Sequence, residues 1–143
     1  MWIFEPILKK TIWGGSQLKE IKNLKNLPEN DGIGESWELS DVEGHESIIK
    51  EGKHKGQTLS FLIEKYRAHL LGKANFQRFG LRFPLLIKYI DAAQDLSIQV
   101  HPDDEMAQQV HNSLGKTEMW YVLNSQPNSY LYCGFNEPLS IDN

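Results

Sequence analysis

Apolar and polar positions alternate in short runs along this chain, and the pattern predicts more strands than helices. In Leu96-Ser97-Ile98-Gln99-Val100-His101 an extended backbone sets Ser97, Gln99 and His101 on one face, with Ile98 and Val100 on the other. Lys116-Thr117-Glu118-Met119-Trp120-Tyr121 has the same parity, with Lys116, Glu118 and Trp120 opposite Thr117, Met119 and Tyr121, and predicts a strand over 116–123. Further short strands are expected at 4–8, 35–40, 47–49, 83–90 and 129–134. The clearest helix begins at Thr58 as N-cap and carries Leu59, Leu62, Ile63, Tyr66 and Leu70 at spacings of three and four, with Gly72 placed to end it. Glu64, Lys65 and Arg67 then form its solvated face. A second helix, capped by Asp103 or Asp104, is expected to run to about Asn112, with Gly115 closing the excursion.

The connections are read from turn chemistry. Paired glycines at Gly14-Gly15 allow close backbone approach and place Trp13 at a turn, where its indole either lines a pocket or plugs one end of the core. Residues 19–31 read as a surface loop or a frayed helical turn, 51–56 as a turn and 135–140 as a loop. Many short strands with one or two packed helices favour an antiparallel sandwich or barrel. No internal repeat or low-complexity tract divides the chain, and its 143 residues fit a single domain.

Composition narrows the function classes. A net charge of −4, without a run of lysines and arginines, argues against nucleic acid as a partner. No stretch approaches the roughly 20 apolar residues that span a bilayer, and the amino terminus lacks the features of a signal peptide, so no membrane association is expected. One cysteine, Cys133, excludes an internal disulfide framework, fits the reducing cytoplasm and is expected as a small buried residue.

Against this background a few polar residues stand out. An amide, an imidazole and a carboxylate from Gln99, His101 and Glu118 are donor types that a divalent cation accepts, and such a site acts as a Lewis acid on a substrate oxygen. On spacing alone, a Gln-x-His pair is also what an ordinary polar strand face looks like. Lys116 is unsuited to be a ligand and is a candidate for substrate handling or proton transfer. Lys88 interrupts the apolar run Phe83–Ile90, so it either faces a cavity or snorkels to an edge. Glu35 shares a face with Trp37, where an unpaired carboxylate is costly, so it either reaches solvent or has a task.

Five stretches in order, TIWGG, GIGESWELS, GQTLSFLIEKYRAHLLG, FPLLIKYIDAAQDLSIQVHPDDEMA and GKTEMWYVL, resemble the type I phosphomannose isomerases. The resemblance implies a mainly β fold, the incomplete, amino-terminal portion of a cupin-like jelly roll. It implies a zinc-dependent isomerase of carbohydrate metabolism that interconverts mannose 6-phosphate and fructose 6-phosphate through a cis-enediol. Carried over by position, Gln99, His101 and Glu118 match three of the family's four zinc ligands. Ser97 and Lys116 match positions lining the sugar-phosphate pocket, with Lys116 as the catalytic candidate, and Trp13, Glu35 and Lys88 fall in segments bordering it. The family's fourth ligand, a second histidine, and a catalytic arginine lie downstream of the stretch matching GKTE. None of His45, His54, His69 and His111 falls in that position. The implied enzyme is therefore a piece of a longer one or one half of a split one. The alternative is a non-catalytic cupin-like module that binds a metal or a sugar phosphate. Exposed strand edges of an incomplete barrel predict a homodimer or a domain-swapped assembly.

Overall fold

The computed structural model describes residues 1–24 and 32–137, which form two compact units, Met1–Leu96 and the described part of Ser97–Asn143. The expected loop residues 25–31 and 138–140 lie outside the described residues.

In the first unit, strands β1 (Ile3–Phe4), β2 (Ile7–Gly15), β3 (Ile33–Leu39), β4 (Asp41–Val42), β5 (His45–Glu46), β6 (Ile49–Glu51) and β7 (Ile87–Ile90) pair only antiparallel. The largest sheet has the order β2-β3-β7, and β1-β6 and β4-β5 form two two-stranded sheets. Helices α1 (Gln17–Ile21), α2 (Leu59–Tyr66), α3 (Ala68–Leu71) and α4 (Lys73–Phe79) complete it, and α5 (Asp104–His111) belongs to the second unit. The antiparallel, mainly β class agrees with the alternation in the sequence. The described helices number five, each of eight residues or fewer.

Helix α2 forms where the pattern placed it. The Thr58 hydroxyl accepts from Phe61 N at 3.2 Å, and the buried Leu59, Leu62 and Ile63 lie on one face. With Leu18, Ile33 and Ile49 they make up the apolar core of this unit. The predicted helix does not run unbroken to Gly72. Arg67 adopts φ 46°, ψ −125°, which ends α2 and starts α3, so Leu70 leaves the stripe of α2. Gly72, with φ 81°, ends α3 as expected and is followed by the unanticipated α4. The buried serines Ser40 and Ser47 fix the turn between β3 and β6, with Ser40 N donating to Ser47 Oγ at 2.9 Å. Asp41 accepts from Ser60 Oγ at 2.5 Å and from Phe83 N at 3.2 Å, tying β4 to α2 and to the approach to β7.

Residues 17–21, of which 19–21 were expected as a surface loop or a frayed helical turn, form α1, whose start is held by a distant carboxylate. Asp91, only 9% exposed, accepts the Leu18 N–H at 3.0 Å across 73 residues of sequence. Asp91→Ala leaves that buried N–H unpartnered and is expected to cost about 1–3 kcal/mol, read from the midpoint of urea unfolding. An unchanged midpoint would show that α1 stands without it.

A second stability prediction concerns pH. His54 hydrogen-bonds the Tyr66 hydroxyl at 3.0 Å and its ring meets Phe61 at 5.4 Å. Loss of water around the ring lowers its pKa below the ordinary 6.5, and the charges of Lys65 and Lys53 lower it further. The unfolded chain therefore binds this proton first. The stabilising contribution is present above 6.5 and is lost as pH falls through that value toward the depressed one. Unfolding midpoints are expected to drop between about pH 7.5 and about pH 5.5, and to drop less in His54→Asn. Asparagine tolerates the positive φ of 74° found there. Equal slopes in both proteins would assign the pH dependence elsewhere.

Several expected strands do not form. Within Phe83–Ile90 only Ile87–Ile90 enters a ladder, and 96–101, 116–123 and 129–134 enter none among the described residues. A strand exists by virtue of a hydrogen-bonding neighbour, and among the described residues none is paired with 83–86, 96–101, 116–123 or 129–134. Trp13 is inside β2 and not at a turn, and Cys133 is exposed, contrary to expectation.

Candidate functional site

The candidate residues fall in both units: Trp13, Glu35 and Lys88 in the first, and Ser97, Gln99, His101, Lys116 and Glu118 in the second. In the second unit the chain leaves at Pro102, makes α5 and returns at Gly115. Asp103 caps α5 by accepting Met106 N at 2.8 Å, and Asn112 ends it in the left-handed conformation. The return is then locked. Gly115 N donates to Asp104 Oδ1 at 2.9 Å, and Lys116 N donates to Pro102 O at 3.3 Å. Gly115 lies so close to the backbone of Asp103 and Asp104 that an added Cβ would stand 2.5 Å from Asp103 C. Only glycine permits that approach.

Closing this neck brings together residues far apart in sequence. His101 Nε2 stands 3.5 Å from Glu118 Oε2, and Lys116 Nζ stands 3.3 Å from Glu118 Oε1. The imidazole and the carboxylate thus meet through the closed neck and not through paired strands. Two donors bound tetrahedrally at about 2.1 Å from one cation stand roughly 3.4 Å apart. The His101–Glu118 separation matches that edge. Gln99 donates its amide N–H to Ser97 Oγ at 3.0 Å, which leaves the amide oxygen as the end able to meet a cation. Among the described residues no group of three or more His, Cys, Asp or Glu side chains could hold a metal. A cation here therefore needs a neutral donor beside the imidazole and the single carboxylate, and Gln99 is of that type. The spacing of His101 and Glu118, and the chemistry of an imidazole, a carboxylate and the Gln99 amide, fit a borderline divalent ion such as zinc.

The first unit holds a tighter cluster. Lys88 Nζ contacts Glu35 Oε1 at 2.7 Å, and Trp37 Nε1 donates to Glu35 Oε2 at 2.6 Å. The lysine and glutamate side chains are only 20% and 16% exposed, so this pair is far less screened than Lys116–Glu118, where the lysine is 49% exposed. Neither Lys88 nor Glu35 is solvated in the bland sense: each is engaged on the sheet. Trp13 rests against Gly34, where an added Cβ would stand 2.6 Å from indole Cζ3, so its ring packs on the backbone of β3. Trp37 was not singled out from sequence. Its signal was the alternation itself, which puts it on the face of Glu35.

Residues 1–128 match the family model of the phosphomannose isomerase type I catalytic domain. The chain is 42% identical over 134 residues to the mannose-6-phosphate isomerase ManA of Bacillus subtilis, covering 93% of this chain and 40% of that protein. It is 35% identical over 127 residues to the mannose-6-phosphate isomerase of Streptococcus mutans, covering 89% and 38%. Among solved structures, the mannose 6-phosphate isomerase of Bacillus subtilis superposes with a TM-score of 0.66 at 35% identity, over 80% of this chain and 34% of that one. A mutant form of the phosphomannose isomerase of Salmonella typhimurium superposes with a TM-score of 0.64 at 31% identity, over 76% and 27%. The chain thus spans about 40% of the length of the curated relatives it matches.

Proposed function

This chain belongs to the type I phosphomannose isomerase family, and from that premise we propose that it is the amino-terminal part of a catalytic domain interconverting mannose 6-phosphate and fructose 6-phosphate. The observation that supports the reading most directly is the meeting of His101 and Glu118 across the closed neck, with Lys116 beside Glu118. Zinc is the cofactor of this reading, held by Gln99, His101 and Glu118 with a further donor, and supplies positive charge that stabilises negative charge developing on a substrate oxygen.

The remaining roles belong to the protein's own side chains. By family position Ser97 of the second unit is assigned a hydroxyl contact to substrate oxygens, and Lys88, Glu35 and Trp13 of the first unit are each assigned to substrate binding. The reaction removes a proton from C2 of the open-chain aldose and returns one to C1 through a cis-enediol. Lys116 Nζ is the group assigned to that proton path, because it is half exposed beside Glu118 and so reachable by substrate. A cytoplasmic setting completes the reading. It is supported by the single cysteine, and no helix of the described residues is long and apolar enough to cross a membrane.

The test is conversion of mannose 6-phosphate to fructose 6-phosphate by the chain, with zinc and after chelation, alongside calorimetric binding of mannose 6-phosphate. Zinc-dependent conversion supports the reading, and neither conversion nor binding with zinc present overturns it for this chain. A second reading, a metal- or sugar-phosphate-binding module that pairs with a second copy, is favoured by one observation. Ile98, Val100, Met119 and Tyr121 are all at least 78% exposed, an apolar surface of the kind that marks association. Under it, light scattering is expected to give twice the mass of one chain. A strictly monomeric species at all concentrations counts against it.

A further inference from the structure

We infer that Trp37 and Glu35 form a brace that fixes the direction of the Lys88 ammonium, which makes Trp37 a positioning residue for that lysine. The brace stands on geometry alone, while its bearing on substrate rests on the function proposed above. In the β2-β3-β7 sheet, Trp37 on β3 lies directly opposite Lys88 on β7, and residues opposed in a ladder share a face. Glu35 is two residues from Trp37 on the same strand and therefore on the same face. Lys88 reaches diagonally past the indole to Glu35 Oε1 at 2.7 Å, while the indole N–H holds Oε2 at 2.6 Å.

The two oxygens of one carboxylate are thus assigned to different partners. A carboxylate held by its second oxygen cannot swing away, so the ammonium it binds is held too. A lysine stem is otherwise free to send its charge in many directions. The indole is itself kept in place by protein: Lys9 Nζ sits 4.7 Å from its ring centroid, and the His45 ring centroid lies 5.6 Å away. Trp37 is accordingly a fixed part of the sheet face and not a platform waiting for a sugar ring. With one ammonium proton on Glu35, Lys88 keeps two for a ligand's oxygens, and their direction is set by the brace. Glu35, assigned above to the border of the site, then acts through Lys88.

The test labels lysines of the full chain with limiting acetic anhydride and follows each residue by mass spectrometry. Trp37→Phe keeps an aromatic ring and removes the N–H. Lys88 acetylation is expected to rise roughly threefold or more relative to the other lysines, as expected when a charge-assisted hydrogen bond is lost from its anchor. Glu35→Gln should raise it at least as much, and Trp37→Phe added to Glu35→Gln should add nothing. Unchanged Lys88 reactivity in Trp37→Phe, or an equal increment in both backgrounds, overturns the brace. If Trp37→Phe does not fold, the unaltered chain decides: the Trp37 indole proton should exchange with solvent far more slowly than that of Trp120, and equal rates overturn the inference. Protection of Lys88 by added mannose 6-phosphate is scored separately. Its absence, with the brace results intact, rejects the substrate role of Lys88 and leaves the positioning of its ammonium standing.

Discussion

Replacing His101 with alanine is expected to weaken zinc binding by roughly 100-fold or more, read by competition with a chromophoric chelator and by metal analysis of the purified protein. The expectation follows from the pairing of His101 Nε2 with Glu118 Oε2 at 3.5 Å, a separation suited to two donors on one cation. Removing the imidazole leaves one carboxylate and a neutral amide. Such a set binds divalent ions weakly and without preference for zinc. The fold should survive, because residue 101 is in no ladder and its side chain is 24% exposed. A variant that folds and binds zinc within about threefold of the original would remove His101 from the ligand set.

The second large effect separates turnover from metal. Lys116→Ala is expected to lower the rate of isomerisation by about 10²–10⁴-fold, the usual contribution of a positioned proton-transfer group. Zinc affinity should hold or rise slightly. Lys116 Nζ lies 3.3 Å from Glu118 Oε1, and an ammonium beside a carboxylate competes with a cation for the same negative charge. The gain is small because this lysine is 49% exposed and screened by water. Lys116→Arg sharpens the test, since arginine keeps the charge but does not give up its proton. Activity restored in Lys116→Arg would make the residue an electrostatic contact, and undiminished turnover in Lys116→Ala would remove it from the mechanism.

What the sequence made legible follows the range over which each feature is determined. Helix α2 was readable because its cap at Thr58 and its apolar stripe are both local. The break at Arg67 was not, since an arginine with φ 46° carries no local signature. Helix α1 was legible only as one alternative, a frayed helical turn within 19–31, because its support comes from Asp91, 73 residues away from the N–H it holds. In the candidate site, the kinds of donor were visible from parity, and His101 and Glu118 do meet. The route by which they meet was not visible: the sequence predicted only two strands of like parity, and hydrogen bonds from Gly115 and Lys116 back to the residues around Pro102 close the neck between them. Gln99 and Ser97 were expected on one face and are joined by a hydrogen bond. Trp37 was seen to share the face of Glu35 but not to hold it, because an aromatic beside a glutamate reads as packing until its N–H is seen on the carboxylate.

The locked return at residues 102 and 116 also has a use for protein engineering. Everything between them hangs from a clasp whose two ends stay put, and the far end at Asn112-Ser113 is exposed. Lengthening a loop that is already closed adds only a slowly growing entropic term. A reporter peptide spliced in after Asn112 should therefore ride beside His101 and Glu118 without moving them, turning this excursion into a port for testing whether metal arrives there.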